Sequence, residues 1–350
     1  MDKTLQIKPF DNCPCLDGFH CQTNSLAKIF HHYGHPLSED VILGLGAGMG
    51  FIYWQMKMGT SSYVFIGGRG NNKNFFNDLG KRTGVKIMVI STSSANRAEM
   101  ALLEKLAAHE PVMMFGDMGF LPWFDLPENY HFGGHTFVVC GFDGQDTVLA
   151  SDMDQRAAGL KKGFYHPITL ERLRKARSST YKPFPPKNTY LEFDFRGFHK
   201  PGTEDFLSSI RQTVESQLDP PIKNMGVKGL RHAANEIVKW PNLFEDEALR
   251  MNLFNLYIFI EVGGTGGGCF RHMYSRFLKE ASAEIRGNKT LTEASEMFNQ
   301  AGKKFTEIAL LFKNAEKMGD VDQKIGMASQ KFREIADIEE NAYSLLRMNI

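Results

Sequence analysis

A change of periodicity near residue 200 limits the fold more than any other feature. Before it, short apolar runs of strand character recur at 63–66, 85–90, 112–115, 135–140, 148–150 and 190–195, the last in strict alternation. Between two of them, 95–109 has helical spacing, with Met100, Leu103 and Leu106 on one face. Beyond Pro183, Pro185, Pro186 and the Pro201-Gly202 pair only helical patterns remain, at 204–218, 229–240, 244–262, 270–285, 292–317 and 321–346. Within 292–317, Met297, Phe298, Ala301, Phe305, Ile308, Ala309 and Phe312 form a one-sided stripe, the signature of a core face. The pattern predicts an α+β first domain at 1–198 and an all-helical bundle at 199–350. With 350 residues, 42% of them apolar, both have the material for a core.

The formal charge is +1, from 41 basic and 40 acidic residues. No bulk field draws such a chain to nucleic acid or an anionic membrane, so the expected partner is a small molecule or a protein. No run approaches the roughly 18 apolar residues of a membrane span, and residues 1–6 lack a signal-peptide core, which makes the cytoplasm the expected compartment. Five cysteines are an odd number outside a secretory context and predict free thiols.

One of those thiols is placed for chemistry. Cys21 stands at the head of an apolar-periodic helix, after a loop broken by Pro14 and Gly18, and Gly34 and Pro36 should end that helix. First-turn N–H groups and the helix dipole favour a thiolate there. His135 opens the 135–140 strand, and Asp152 closes the run 147–151. Neighbouring strands would set that carboxylate against the imidazole and hold its tautomer, in the chain order Cys, His, Asp. Asp154 is the alternative orienter, because alternation leaves both carboxylates on one side. The aromatic-rich 116–132 segment, with Phe120, Trp123, Phe124 and Tyr130, precedes His135 and has the length of a site-covering loop.

Other motifs lose specificity on inspection. Cys13, Cys15, His20, Cys21, His31, His32 and His35 cluster in sequence, but Cys-x-Cys with a lone third cysteine lacks the paired knuckles of structural zinc, so no metal is expected. The glycines at 44–50 have Met49 where a dinucleotide fingerprint needs its third glycine, and 263–268 lacks a Gly-Lys-Ser/Thr ending; no cofactor is expected. Both stretches suit close backbone packing. Glycine is a costly way to join two helices, so the 263–268 turn is expected to pack against 44–50, with Cys21 at the base of a cleft between the domains. On that reading His20, Gln22, Asn24, Glu39, Gly46, Gly48, Gly134 and Arg271 line the cleft, Arg271 serving as an anion contact or as the ion-pair partner of Glu39.

The order and context of Cys21, His135 and Asp152 resemble the papain-like cysteine enzymes, including the double-glycine peptidases that process bacteriocins. A closer resemblance is to butirosin biosynthesis protein H and its relatives, carried by His20-Cys21, 37–53, 134–139 with Asp152, 226–231 and 264–271. The resemblance implies a papain-like cysteine-protease fold for the first domain, joined to the helical bundle. It implies a thiol acyltransferase that moves an aminoacyl group from an acyl carrier protein thioester to a small-molecule amine through an acyl-cysteine, acting in secondary metabolism, with a homodimer as the assembly to test. A cysteine peptidase or amidase with the same three residues is the alternative within enzymes. A ligand-binding or assembly protein is the alternative outside them. Papain-type sites place a side-chain amide a few residues before the nucleophile to complete the oxyanion hole; six before Cys21 stands Cys15, so the second donor is sought among Asn12, Gln22 and Asn24.

Overall fold

The computed structural model describes residues 7–58, 61–127, 129–154 and 159–350; residues 1–6, considered above for a leader, lie outside them. In chain order the elements are α1 (Cys21–His32), α2 (Glu39–Leu45), β1 (Met49–Met58), β2 (Ser61–Arg69), α3 (Phe75–Thr83), β3 (Lys86–Ile90), α4 (Ala95–Ala107), β4 (Val112–Gly116), β5 (His135–Phe142), β6 (Thr147–Met153), β7 (Gly163–Thr169), α5 (Leu170–Ser178) and β8 (Tyr190–Asp194). Helices follow at α6 (Thr203–Leu218), α7 (Gly226–Ile237), α8 (Trp240–Leu243), α9 (Asp246–Tyr257), α10 (Arg271–Glu284), α11 (Lys289–Phe312) and α12 (Val321–Asn349). The chain is therefore mixed α+β with a helical C-terminal region.

Two compact units form. The first joins Met1–Ile42 to Gly84–Phe198. Its centre is an antiparallel sheet of order β3-β8-β4-β5-β6-β7. Strands β5 and β6 are buried almost end to end, which is why they read as continuous apolar runs. Helix α1 packs on β4, β5 and β6, while Leu102, Leu106, Leu173 and Ala176 from α4 and α5 join Phe137, Val139, Val148 and Ala150 in one core. The buried face of α4 is Ala98, Leu102 and Leu106, and Met100 is exposed. This corrects the Met100, Leu103, Leu106 face: helical spacing fits two adjacent faces, and packing uses the one whose small Ala98 admits a close approach.

The second unit joins Leu43–Thr83 to His199–Ile350. The expected division at 198/199 is thus one edge of the observed one, but 43–83 belongs with the helices, and the second unit is not all-helical. It contains the antiparallel β1-β2 hairpin. Phe51, Tyr53, Val64 and Ile66 are buried, with the Phe51 ring 6.1 Å from Phe305 and 6.4 Å from Phe332. Trp240 Nε1 donates to Tyr53 Oη at 3.1 Å, and the Val64 amide donates to Asn252 Oδ1 at 2.8 Å. The α11 stripe is buried from Phe298 to Phe312, as the pattern predicts.

Inside this unit the turn before α10 meets the β1-β2 hairpin at Gly68 of β2, and among the described residues no contact joins 263–268 directly to 44–50 as expected. Arg271 donates to the Gly50 carbonyl at 2.9 Å, and a Cβ on Gly68 would sit 2.4 Å from the Cys269 carbonyl oxygen, so the hairpin backbone lies against the turn that precedes α10. Cys269 and Phe270 hold left-handed backbone there, at φ 52° and 71°. Among the described residues no helix is long and apolar enough to cross a membrane.

Candidate active site

Helix α1 begins at Cys21. His20 is its N-cap with extended backbone, φ −129° and ψ 128°, and gives no side-chain cap. What holds this entry is Glu39. Its carboxylate accepts from the Phe19 amide at 2.8 Å, the His20 amide at 3.1 Å, Thr23 Oγ1 at 2.6 Å and Asn24 Nδ2 at 3.4 Å. Burial pushes the Glu39 carboxyl up, with those donors opposing it. Gly18 permits the approach, since a Cβ there would lie 2.1 Å from Glu39 Oε1 and 2.3 Å from Asn24 Nδ2.

His135 is the first residue of β5, opposite Gly116 of β4. Pairing of β5 with β6, Val138 opposite Ser151, brings Asp152 within reach, and His135 Nε2 lies 2.7 Å from Asp152 Oδ2. Both side chains are 2% exposed. Nδ1 is the ring nitrogen that Asp152 does not engage, and Cys21 and the imidazole act on each other, the thiol drawn down and the ring pushed up. Trp123 Nε1 donates to the same Asp152 oxygen at 2.9 Å, and the Met153 amide donates to Asp152 Oδ1 at 2.7 Å. Phe124 stands edge-on to the imidazole, centroids 5.0 Å apart. Asp152, not Asp154, is the carboxylate on His135.

These contacts set the charges. Burial works to lower the His135 pKa, but the Asp152 charge and hydrogen bond, reinforced by Cys21, outweigh it and carry the imidazole up to about 10. Burial works to raise Asp152 and is outweighed by His135, by the Lys28 ammonium and by the Met153 amide, so its carboxyl lies below the usual range. Burial likewise works to raise Cys21, yet the His135 partner and the Thr136 N–H and hydroxyl bring the thiol below its ordinary value. The arrangement favours a thiolate–imidazolium pair, with Cys21 itself partly open to solvent.

The other residues named from sequence divide. His20, Gln22 and Gly134 are partly exposed neighbours of Cys21 and His135 in the chain. Asn24 is 1% exposed and spends its amide on the Leu16 and Asp17 carbonyls and on Glu39. Glu39 spends its carboxylate on the α1 entry. Gly46 and Gly48 are buried in the second unit, where a Cβ on Gly46 would meet the Phe75 ring at 2.2 Å, and one on Gly48 would meet Phe75 and Leu43. Arg271 is fully buried and pairs with Glu339 at 2.7 and 3.0 Å, in place of the expected Glu39. Among the described residues no three His, Cys, Asp or Glu side chains group to hold a metal.

Sequence reasoning missed four contributors. Trp123 was visible only as one aromatic in a loop, and Thr136 as the neighbour of His135. Lys28 left a clearer trace: it is the lone cation on the buried face of α1, two turns after Cys21. It is 1% exposed, its pKa lowered by burial with Asp152 opposing. Lys161 left none.

A mixed α+β unit that sets a helix-head cysteine beside a buried His–Asp pair defines the site. Residues 20–153 match the family described as butirosin biosynthesis protein H, N-terminal, and 171–346, just over half of the chain, match one described as a domain of unknown function, DUF4872. The chain belongs to the DUF4872 family and carries an N-terminal domain of the butirosin biosynthesis protein H type. The latter suggests a biosynthetic enzyme. No curated protein matches the chain.

Proposed function

We propose that the protein is a papain-like thiol acyltransferase that takes an acyl group from a carrier-protein thioester and delivers it to an amine. The observation that carries the reading is the buried His135–Asp152 pair, whose imidazole acts on the Cys21 thiol at the head of α1 and lowers its pKa. The match to a biosynthetic family rather than to a peptidase favours an acyl acceptor other than water.

The residues divide the work. The Cys21 thiolate attacks the thioester carbonyl carbon; a C–S bond forms and the π pair moves to oxygen. The α1 N-terminus, uncapped by His20, offers first-turn N–H groups and a positive dipole end to that oxyanion. Collapse breaks the donor C–S bond, and the leaving thiolate takes the proton from the His135 imidazolium. The amine then attacks the acyl-cysteine and gives its proton to His135 Nδ1, regenerating Cys21. Asp152 keeps Nε2 protonated and stabilises the imidazolium in both halves.

Intact-mass analysis after mixing the protein with an aminoacyl carrier protein tests this. The expected result is an acyl adduct on Cys21, absent from Cys21→Ala, that disappears on adding a small amine with formation of the amide. An adduct discharged only by water identifies a hydrolase, and no adduct on a folded protein refutes the enzymatic reading.

A further inference from the structure

The position six before Cys21 is a cysteine, and Asn24 spends its amide elsewhere, so neither supplies the side-chain donor looked for before the nucleophile. Lys161 is placed to supply a donor. Its backbone pairs reciprocally with Gly18: the Gly18 amide donates to the Lys161 carbonyl at 2.9 Å and the Lys161 amide to the Gly18 carbonyl at 2.7 Å. This isolated antiparallel bridge fastens Lys161 beside the loop three residues before the nucleophile. The side chain does not escape to water, being 1% exposed, whereas its neighbour Lys162 is largely exposed and pairs with Asp17 at 2.7 Å. An ammonium is costly to bury without nearby negative charge. Among the groups that act on it are the Asp154 carboxylate, the stronger, and Cys21.

We propose that Lys161 is a catalytic residue of this site, its ammonium stabilising the oxyanion that forms when Cys21 attacks an acyl carbonyl. The proposal rests on the acyl-transfer reading above and names the group that supplies what Cys15 lacks. Lys28 and Arg177 are also buried cations of this unit, but the largest charge acting on Lys28 is Asp152, and Arg177 donates to the Ala98 carbonyl at 3.2 Å. Burial brings the Lys161 pKa down to about 8, with Asp154 and the Cys21 thiolate opposing, so the ammonium form persists at neutral pH. A low-dielectric setting makes a fixed charge there worth more than the same charge in water.

The test compares two reactions of Cys21 in the full chain. Acylation by p-nitrophenyl acetate passes through a tetrahedral oxyanion; alkylation by iodoacetamide needs only the thiolate. In Lys161→Met, acylation is expected to fall about a hundredfold, the scale of losing one oxyanion-hole donor, while alkylation falls far less. Lys161→Arg should recover most of the acylation rate. Circular dichroism melting establishes that each variant is folded. Equal acylation by wild type and Lys161→Met overturns the proposal, as does a parallel loss of both reactions that Arg fails to rescue. Acylation of wild type by the ester but not by a carrier-protein thioester would refute the transferase reading and leave Lys161 tested on its own.

Discussion

Replacing Asp152 by asparagine has an outcome that depends on Trp123. The carboxylate accepts three bonds, from His135 Nε2 and Trp123 Nε1 on Oδ2 and from the Met153 amide on Oδ1. An amide has one acceptor oxygen and one donor NH₂. With the oxygen toward His135 and Trp123, the NH₂ opposes one donor, the Met153 N–H. Flipped, the NH₂ opposes Trp123 and also forces His135 to accept at Nε2, the wrong tautomer for a base at Nδ1. Leaving a buried donor unmet costs about 1–3 kcal/mol, so Trp123 and His135 together hold the oxygen inward. Asp152→Asn should therefore keep the tautomer and lose only the charge. The gap between a charge-assisted and a neutral hydrogen bond is about 1–2 kcal/mol, which is roughly a 10- to 30-fold slower acylation. Adding Trp123→Phe removes the conflict in the flipped state, where the Met153 N–H regains an acceptor. The double variant should then fall about 10⁴-fold, the scale of a wrong tautomer in a serine protease triad, although Trp123→Phe alone costs less than about tenfold. Single-turnover acylation of Cys21 by p-nitrophenyl acetate measures all four proteins. A double variant no slower than the product of the single effects would refute the Trp123 argument. An unimpaired Asp152→Asn would refute the orienting role itself.

Two further outcomes are expected. Arg271→Ala strands the buried Glu339 carboxylate and removes the donors to the Gly50 and Cys269 carbonyls; urea denaturation should show a loss of about 3–5 kcal/mol, with iodoacetamide labelling of Cys21 unchanged in the folded protein. His135, raised from 6.5 to about 10, contributes stability that is fully present below pH 6.5 and is lost as pH rises through about 10, so denaturation midpoints should decline across that window. In Asp152→Asn the decline should shift to lower pH, and identical profiles for the two proteins would show that the carboxylate does not raise the imidazole.

How much of the site was legible follows from how local each signal is. Cys21 and His135 announce themselves by position, one at a helix head and the other at a strand start, and strand β6 carries Asp152 beside β5 because consecutive strands pair. Lys28 was readable in principle, as a cation among Leu26, Ile29 and Phe30 on a helix that must bury that face. Glu39 was placed in the cleft, as a charged contact or the ion-pair partner of Arg271, because a carboxylate at the first position of α2 gives no local sign of its partners. Its real partners are two loop amides and two α1 side chains some fifteen to twenty residues earlier. Lys161 pairs with Gly18 across most of the first unit's sequence, and nothing in its neighbours Leu160, Lys162 and Gly163 sets it apart from a surface lysine.

The segment 43–83 was misread for a different physical reason. Strand β1 carries Phe51 and Tyr53 inward and Trp54 outward, so both faces of the alternation are apolar or aromatic and the period of two disappears. Gly44, Gly46 and Gly48, in front of it, serve the close packing that the sequence suggests, though within the second unit: a Cβ at Gly44 would lie 2.1 Å from the Phe277 ring. A two-stranded hairpin has little stability alone. It must borrow a core, and the pattern around 49–69 does not say whose. The answer lies in residues such as Phe305, Phe332, Trp240 and Asn252, which a local reading assigns to helix stripes of their own. The helical half therefore does not have a complete core without a segment inserted between α1 and β3, and that explains why the family match at 20–153 runs across a segment that folds with the other unit. The two sequence families are inherited along the chain, whereas the compact units are set by which apolar faces cannot be buried locally.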